Sequence, residues 1–394
     1  MQLTVNAWHI LAVIIFSNPQ YYICNSSNIM NTSQLPCVNN NFYTSESEVC
    51  DVLHTSTLST VAATTSAFQL EWDVVTWLWR TVPVALFVVG IVGNILTIIV
   101  LVRLGLKKQP TMTFLFFLAI TDTVVLLTGL PRYWVNYVFD FDIRRTSNLC
   151  CKLYYFFLYT SMHFSSWILV GVSIERVVKT HLPLRYKRIY TSKRVVYGLF
   201  ILLIIIIGVN LHFFFTNGIN DYTEGTCSSL TPEYFEFDEF VFVYIDMTIF
   251  SIGPFVIMSV SNILLIRVLR RVQRERSEMM HESMVDKANQ FSIRMTKMLI
   301  VCTAYFLAAT APVCIYFIVD SYLYPEFEET GNEGGMAYMD IAWVVTYLVT
   351  YSNYCVNFYL YTALNDRFYQ ELRTVLCCQN RFDSKLHSPS MMNV

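Results

Sequence analysis

Seven long apolar stretches follow one another along the 394-residue chain. They are numbered span 1 to span 7 here and run over 79–102, 112–137, 151–175, 195–215, 239–267, 294–318 and 337–363. A helix needs roughly 20 apolar residues to cross a membrane, and lipid offers no partner to an unpaired backbone group. Only 14% of the residues are charged, against about 25% in a globular protein. The sequence therefore predicts an all-α membrane protein, a seven-transmembrane helix bundle, rather than a soluble enzyme or a nucleic-acid-binding protein.

The loops between the spans are short, and no repeat or Gly/Ser-rich linker divides the chain. We expect an extracellular, glycosylated amino-terminal segment over 1–78 and the bundle over 79–364. A cytoplasmic part over 365–394 is expected to begin with a short amphipathic eighth helix. Residues 8–16 resemble the apolar core of a signal peptide over 1–17, although no Lys or Arg precedes them, so an uncleaved amino-terminal segment stays open.

Basic residues indicate the orientation of the bundle. The loops after spans 1, 3 and 5 and the tail contain Arg103, Lys107, Lys108, Lys179, Arg185, Lys187, Arg188, Lys193, Arg194, Arg267, Arg270, Arg271, Arg274, Arg276, Lys287, Arg367, Arg373, Arg381 and Lys385. The opposite loops contain only Arg144, Arg145 and Lys152. Because cytoplasmic loops are the Lys- and Arg-rich ones, we expect a multi-pass plasma-membrane protein with an extracellular amino terminus.

Covalent modifications are predicted on both sides. Asn25-Ser26-Ser27 and Asn31-Thr32-Ser33 are acceptors for glycosylation at Asn25 and Asn31, although such tripeptides also occur by chance. Six of the eleven cysteines fall on the outer side, and an even number suits disulfides in an oxidising compartment. The pairing of Cys24, Cys37, Cys50 and Cys150 stays open. On the cytoplasmic side, Cys377 and Cys378 follow an amphipathic stretch and are predicted palmitoylation sites.

An acidic residue lies in the middle of span 2. An ionisable group at this depth is unfavourable and is a functional candidate by default, and here it is Asp122. Span 3 contributes Ser161 and Ser165, one turn apart, and span 7 contributes Asn353 and Asn357 at the same spacing. Converging faces would bind a proton or a small cation, with Asp122, Ser165 and Asn353 as ligands of an allosteric sodium ion. The alternative is a purely structural hydrogen-bond network, and no other metal or cofactor is expected.

Spans 3, 5 and 6 carry the features of a switch. Glu175 and Arg176 end span 3, where they could pair at rest and then release the Arg to a partner; the alternative is an Arg that extends to the interface. Pro254 and Pro312 remove a helical hydrogen bond and bend spans 5 and 6. A bent span 6 with a basic cytoplasmic end could act as a lever, because a small movement at the bend would displace the cytoplasmic end further. These features favour a switch over a catalyst, and no enzymatic activity is expected.

From residue 79 to residue 378 the chain resembles the rhodopsin-like (class A) G-protein-coupled receptors. The motifs that carry the resemblance are Gly93-Asn94, LAITD ending at Asp122, Cys151 placed 25 residues before Arg176, Pro183, Cys227, Pro254, Phe306 with Pro312, and Asn357-Phe358-Tyr359-Leu360-Tyr361. The resemblance implies a disulfide between Cys151 and Cys227, with Cys151 chosen over Cys150 by its spacing to Arg176. It also implies that Glu175, Arg176, Asn357 and Tyr361 form the G-protein switch.

Three positions depart from the family's pattern, and span 4 lacks the family's Trp. Thr310 stands where the family has a Trp in span 6, Asn262 where it has a Tyr in span 5, and Phe358 where it has a Pro in span 7. The departures affect the aromatic trigger and the tyrosine contacts of activation, and they leave the Arg176 end unchanged. Similar substitutions occur in invertebrate neuropeptide receptors, and the chain resembles the FMRFamide-receptor-like group among them.

The sequence argues against two classes of ligand, retinal and the biogenic amines. Residues 337–363 contain no Lys for a retinal Schiff base, and Leu158 stands where an amine receptor has an Asp. The outer loops are acidic and should attract a cation, which favours a basic, amidated neuropeptide; the alternative is a merely solubilising surface.

Two charged residues and several aromatic residues are candidates for the ligand contact. We expect Asp246 to pair with a ligand Arg, and Arg132 with a peptide carbonyl or an acidic group, unless both pair with neighbours. The aromatic candidates, which packing alone could also explain, are Tyr155, Tyr159, Tyr316, Trp343 and Tyr347.

The predicted function is that of a receptor which transmits peptide binding to a heterotrimeric G protein, with the lipid bilayer and arrestin as further partners and no nucleic acid. The main alternative is a secondary transporter with Asp122 as its coupling carboxylate, although neither the internal repeats nor the broken helices of transporters are visible.

Overall fold

The computed structural model describes residues 47–106, 109–278 and 284–377. The signal peptide prediction, Asn25, Asn31 and Cys378 lie outside the described residues. In chain order the elements are α1 (Ser47–Leu104), α2 (Pro110–Phe139), a 3₁₀ turn (Ile143–Thr146), α3 (Asn148–His181), α4 (Pro183–Ile189), α5 (Ser192–Asn210), α6 (Phe213–Thr216), β1 (Asn217–Gly218), β2 (Ser228–Ser229), α7 (Pro232–Phe237), a π-helical turn (Asp238–Phe242), α8 (Val243–Met247), a second π-helical turn (Thr248–Ile252), α9 (Gly253–Glu278), α10 (Met284–Thr330), α11 (Glu333–Leu364) and α12 (Asp366–Leu376).

The predicted spans coincide with these helices. Spans 1, 2, 3, 6 and 7 lie within α1, α2, α3, α10 and α11, span 4 covers α5 and reaches into α6, and span 5 is the run of helical turns that ends in α9. Six of the described helices are long and apolar enough to cross a membrane. The helix α11 is not among them, and its sequence includes acidic residues and asparagines as well as apolar ones. The all-α bundle that the apolar pattern predicts is confirmed.

The helices pack as a closed bundle around α3. Contacts run from α1 to α2, from α2 to α3, from α10 to α11 and from α11 back to α1, while α3 also contacts α5, α9 and α10. The largest buried cluster includes Leu118, Ile168, Met258, Met298 and Phe306, and so it joins spans 2, 3, 5 and 6.

Large apolar side chains also cover the outside of the bundle. On span 4 they form an exposed face, which comprises Phe200, Ile201, Ile204 and Ile205. A soluble monomer rarely exposes so much contiguous apolar surface, and membrane proteins turn it toward lipid. The exposed face is therefore consistent with the membrane crossing that the sequence predicts for span 4.

Side-chain caps define where several helices begin. Ser147 accepts a hydrogen bond from the Cys150 N–H at the start of α3, and Asn365 accepts one from the Phe368 N–H at the start of α12. Such caps satisfy backbone donors that the first turn leaves unpaired. α12 then packs Phe368 and Leu372 into the core, while Leu376 at its last turn stays exposed. Its placement on the cytoplasmic side stays a prediction.

The antiparallel pair β1–β2 is the only sheet among the described residues. It aligns Asn217 with Ser229 and Gly218 with Ser228, and it belongs to the second outer loop, between spans 4 and 5. The pair is held near the amino-terminal end of α3, because the Asn148 side chain accepts a hydrogen bond from the Ile219 N–H at 3.3 Å.

Two glycines in the spans differ sharply in their surroundings. A Cβ on Gly129 of span 2 would lie 2.0 Å from the Tyr351 hydroxyl and 2.6 Å from two of its ring carbons, and Tyr351 is buried. A Cβ on Gly198 of span 4 would have no atom within 4 Å. The close approach of spans 2 and 7 therefore depends on the missing side chain of Gly129.

We expect Gly129→Ala to destabilise the protein by about 1–3 kcal/mol, because a packed ring must move. Gly198→Ala should be neutral or slightly stabilising, since alanine favours a helix. Thermal denaturation of the purified variants compares them. Equal melting temperatures for the two variants would contradict the prediction.

Candidate functional site

Asp122 is fully buried between spans 2, 3 and 7. The Ser165 hydroxyl donates a hydrogen bond to its Oδ1 at 2.6 Å, and the Asn357 amide donates one to its Oδ2 at 2.8 Å. Ser161 does not join this network, because its hydroxyl donates to carbonyl oxygens of its own helix. The Asn353 amide nitrogen, one turn before Asn357, is buried and has no hydrogen-bond partner among the described residues.

The Asp122 site offers oxygen atoms of the kind that bind a small cation. Each carboxylate oxygen accepts one recorded hydrogen bond and retains further lone pairs. A sodium ion here would be bound by oxygens of Asp122 and Ser165. The Asn353 nitrogen could not ligate a cation, so the predicted role of Asn353 requires its amide oxygen.

The carboxyl-terminal end of span 3, which the sequence predicts to be cytoplasmic, holds a buried ion pair. Arg176 Nε lies 3.1 Å from Glu175 Oε2, and the two side chains are no more than 1% exposed. The hydroxyl of Thr111, in α2 just before span 2, donates to Glu175 Oε1 at 3.0 Å and accepts a hydrogen bond from the Arg176 guanidinium. Arg176 therefore does not extend to the interface, and its charge is held between spans 2 and 3.

A tyrosine of the following loop completes this end. The Tyr186 hydroxyl of α4 donates to Glu175 Oε1 at 2.6 Å. Burial, together with the charge of Glu175 and this hydrogen bond, raises the pKa of Tyr186 well above its usual range. The hydroxyl therefore keeps its proton and remains a donor. Sequence reasoning missed both Thr111 and Tyr186, and neither stands in a motif that marks its role.

Two other members of the predicted switch lie on span 7. Asn357 bonds Asp122, so it belongs to the network described above. The Tyr361 ring packs edge-on against Phe368 of α12 at 5.8 Å, and its hydroxyl is buried with no hydrogen-bond partner among the described residues. The four predicted switch residues thus lie in three separate places: Glu175 and Arg176 pair with each other, Asn357 bonds Asp122, and Tyr361 packs against Phe368.

A buried polar contact also joins spans 5 and 6. The Asn262 amide donates to the Thr303 hydroxyl at 2.8 Å, and that hydroxyl lies 3.0 Å from Asn262 Oδ1. Both residues are buried. Asn262 is the position where the family's pattern has a tyrosine, so the departure noted in the sequence produces a direct bridge between the two helices.

At the outer end, a disulfide joins Cys151 to Cys227. The bond fixes the second outer loop to the start of span 3, and the Tyr155 hydroxyl donates to the Cys227 carbonyl at 3.4 Å. Cys150 is exposed and forms no disulfide within the part of the chain that the structure describes. The disulfide that the family resemblance implies is confirmed.

Asp246 of span 5 is bonded to a histidine of span 3. His163 Nε2 lies 2.5 Å from Asp246 Oδ1, and both side chains are nearly inaccessible. The Asn210 amide of span 4 lies 3.1 Å from His163 Nδ1 and also donates to the Ile206 carbonyl. An imidazole whose Nδ1 accepts from the Asn210 amide has its N–H at Nε2, where it can donate to Asp246 Oδ1. A ligand Arg would have to break this bond to reach Asp246.

Arg132 of span 2 lies near an acidic residue of the first outer loop. Its Nε is 3.6 Å from Asp142 Oδ1, and its guanidinium lies over the Tyr133 ring at 4.7 Å. The predicted ligand contacts Arg132 and Asp246 therefore both have neighbours in the bundle. Asp142 was not predicted, although it stands near the start of the loop that span 2 leads into.

The predicted aromatic contacts form two clusters. Trp343 and Tyr347 of span 7 stack on each other at 5.5 Å and surround Trp79 of span 1 and Tyr133 of span 2. On the other side, Tyr155 and Tyr159 of span 3 pack against the Phe213 ring. Tyr316 stands apart, with its hydroxyl donating to Asp320 at 2.9 Å. Trp79 and Tyr133 were not predicted, although both are aromatic residues near the outer ends of their spans.

Comparison with known proteins identifies the family. Residues 93–361 match the model of the 7 transmembrane receptor (rhodopsin family), and the match covers more than half of the chain. The chain therefore belongs to this family of seven-helix membrane receptors.

Similar proteins include three human receptors. Neuromedin-U receptor 2 is 28% identical over 79% of this chain and 74% of its own length. C-C chemokine receptor type 1 is 24% identical, with 73% and 76% covered, and galanin receptor type 2 is 24% identical, with 74% and 70% covered.

Membership in this family decides between several of the functions considered from the sequence. A G-protein-coupled receptor in a membrane is confirmed, and an enzyme is excluded because the receptors of this family are not enzymes. The transporter alternative has no support from these relatives. The narrower grouping with FMRFamide receptors stays a prediction.

The buried contact between His163 and Asp246 is expected to contribute to stability. Asp246→Leu or His163→Leu alone should each lower the free energy of unfolding by about 2 kcal/mol, because each leaves a buried polar partner unpaired. The double variant should lose less than the sum of the two single losses. Thermal denaturation of the purified receptors measures all three, and fully additive losses would show that the two side chains are energetically independent.

Proposed function

We propose that this receptor binds an extracellular basic, amidated neuropeptide and transmits that binding to a heterotrimeric G protein. The observation that carries the proposal is the buried guanidinium of Arg176, held by Glu175 and Thr111 at the end of span 3 in a chain of this receptor family. A cation kept out of water at rest and close to the cytoplasmic boundary is suited to a partner that it meets only after the helices move.

The proposed location is the plasma membrane, with the amino terminus outside. The basic loops then face the cytoplasm and Cys151 and Cys227 face the oxidising side. In this arrangement residues 1–78 are extracellular, 79–364 form the bundle and 365–394 are cytoplasmic. Glycans on Asn25 and Asn31, and palmitate on the exposed Cys377 and on Cys378, would agree with the same orientation.

A peptide ligand is supported by relatives and by charge. Receptors named for neuromedin U and galanin, which are neuropeptide receptors, are among the similar proteins. The outer loops expose acidic side chains, including those of Glu224, Glu233, Glu236, Glu328, Glu329 and Glu333. Such a field raises the local concentration of a cationic ligand. Tyr155, Tyr159, Tyr316, Trp343 and Tyr347 then supply aromatic surface for its apolar and cationic side chains.

The proposed mechanism is a shift between two arrangements of the bundle. A ligand that binds one arrangement more tightly increases its population, and the G protein does the same from the other side. Opening of spans 5 and 6 would separate Asn262 from Thr303, and release of Arg176 from Glu175 would follow. Arrestin would use the same opened face, and a sodium ion at Asp122, Ser165 and Asn353 would favour the closed arrangement.

A peptide library tests the function directly. Cells that express the receptor and carry calcium and cAMP reporters should respond to at least one basic, amidated peptide, whereas cells without the receptor should not. Arg176→Ala should remove the response while surface expression persists, because the cation that meets the G protein is lost. Arg103→Ala is the matched control, since Arg103 is exposed on the same side and, among the described residues, its ion pair is with Glu371 at 3.2 Å. A full response from Arg176→Ala would contradict the mechanism.

The bridge between spans 5 and 6 predicts a change in basal activity. Thr303→Val should raise signalling without ligand about fivefold, because it removes roughly 1 kcal/mol of hydrogen bonding from the closed arrangement. Thr97→Val is the control: Thr97 is buried, and the hydrogen bond of its hydroxyl within the described structure goes to the Gly93 carbonyl of its own helix. Basal cAMP or calcium signalling, normalised to surface expression, measures the effect. No increase for Thr303→Val would show that the bridge does not hold the closed arrangement.

A further inference from the structure

Two guanidinium groups lie beside one carboxylate at the outer end of span 2. Arg144 takes that carboxylate almost completely: its Nη2 lies 2.7 Å from Asp142 Oδ2, its Nε lies 3.0 Å from the same oxygen, and its backbone N–H donates to Oδ1 at 3.0 Å. Arg144 Nη1 donates to the Tyr155 hydroxyl at 2.7 Å. The charge of Arg144 is thus balanced by Asp142, and its N–H groups donate to Asp142 and Tyr155.

Arg132 is the second cation, and its share of Asp142 is small. The 3.6 Å between Arg132 Nε and Asp142 Oδ1 is longer than a hydrogen bond. No other carboxylate lies within ion-pair distance of Arg132 among the described residues. Burial would raise the pKa of Asp142, but hydrogen bonding from Arg144 and the charges of both arginines lower it below its usual value. One anion therefore faces two cations, and the cluster has a net positive charge.

The surroundings of Arg132 suit an incoming anion. The guanidinium lies over the rings of Tyr133 at 4.7 Å and Tyr154 at 5.4 Å, and 19% of the side chain is exposed. Aromatic faces stabilise a cation without neutralising it. A guanidinium has five N–H donors in a planar fork, which is more than Asp142 can occupy at this distance, and the fork matches a carboxylate.

Asp246, the other charged residue that was predicted to contact the ligand, is not accessible. Asp246 is 2% exposed and is bonded to His163. Of the two charged residues predicted to contact the ligand, Arg132 is thus the accessible one, and the exposed acidic residues of the outer loops form the rim. A ligand that fits both the acidic rim and Arg132 has basic groups for the rim and an anionic group for Arg132.

We propose that Arg132 is a ligand subsite that binds one carboxylate of the peptide, either a free carboxyl terminus or an acidic side chain. The proposal deepens, and rests on, the proposed peptide-receptor function, and it narrows the ligand chemistry. An amidated peptide would then need an aspartate or glutamate to occupy the subsite.

Three small probes test the subsite without signalling. They are N-acetyl-phenylalanine, which has a free carboxylate, its uncharged amide, and N-acetyl-aspartic acid α-amide, which has only a side-chain carboxylate. Binding to the full-length purified receptor is measured by the shift in melting temperature across a concentration series. At least one of the two carboxylate probes should bind about tenfold more tightly than the uncharged amide, and the stronger of the two identifies the source of the carboxylate.

Variants of the cluster separate a ligand subsite from a structural ion pair. Arg132→Gln should abolish the preference for carboxylates, and Arg132→Lys should keep part of it because the charge remains without the fork. Arg145→Gln is the matched control, since Arg145 is an exposed neighbouring cation that donates to the Gly225 carbonyl. It should behave like the unmodified receptor. Asp142→Asn should strengthen carboxylate binding several-fold, because it removes the negative charge that lies beside Arg132 and repels an incoming anion.

The proposal is overturned if neither carboxylate probe binds better than the amide, or if Arg132→Gln keeps the preference. If Arg132→Gln does not fold, an unchanged affinity in Asp142→Asn overturns it. These outcomes leave the peptide-receptor function standing, because a peptide without any carboxylate could still signal through Arg176. A receptor that binds the carboxylate probes but answers no peptide would contradict that function instead.

Discussion

The packing of the helices in this bundle depends on one constraint, which is that burying an unpaired polar group is unfavourable. Lipid is as apolar as the side chains that face it, so the hydrophobic effect alone does not specify how spanning helices fit together. Hydrogen bonds between helices do so here: Asp122 joins spans 2, 3 and 7, Asp246 joins span 5 to span 3, and Asn262 joins span 5 to span 6. Each contact would leave a buried polar atom unpaired if the helices separated.

Span 3 connects the two ends of the receptor. Its outer end carries the disulfide to Cys227 and the Tyr155 contact with Arg144, its middle carries His163 and Ser165, and its inner end carries Arg176. The two ends are built differently. Outside, Arg132 is partly exposed and incompletely neutralised, whereas inside Arg176 is fully buried and paired. A charge that is open at rest suits a ligand, and a charge that is covered at rest suits a partner that binds after a rearrangement.

Residue spacing predicted part of the polar network and failed where local backbone geometry intervened. Ser165 and Asn357 reach Asp122 as expected from helices with regular turns. Ser161, one turn away from Ser165, bonds carbonyls of its own helix instead, which serine hydroxyls commonly do. Asp246 stands eight residues before Pro254, but a π-helical turn over Thr248–Ile252 lies between them, so a count along a regular helix could not give the direction of its side chain.

The sequence by itself determined the seven spans, their orientation as a prediction, and the family, because apolar length and the order of motifs are properties of the chain alone. It also identified the charged residues that lie within or beside the membrane. The tertiary structure decided their partners: Asp142 beside Arg132, His163 beside Asp246, and Thr111 beside Arg176. Partners far apart in sequence depend on how helices rotate and pack, and that packing follows from the fit of side chains between spans rather than from the pattern within any one of them.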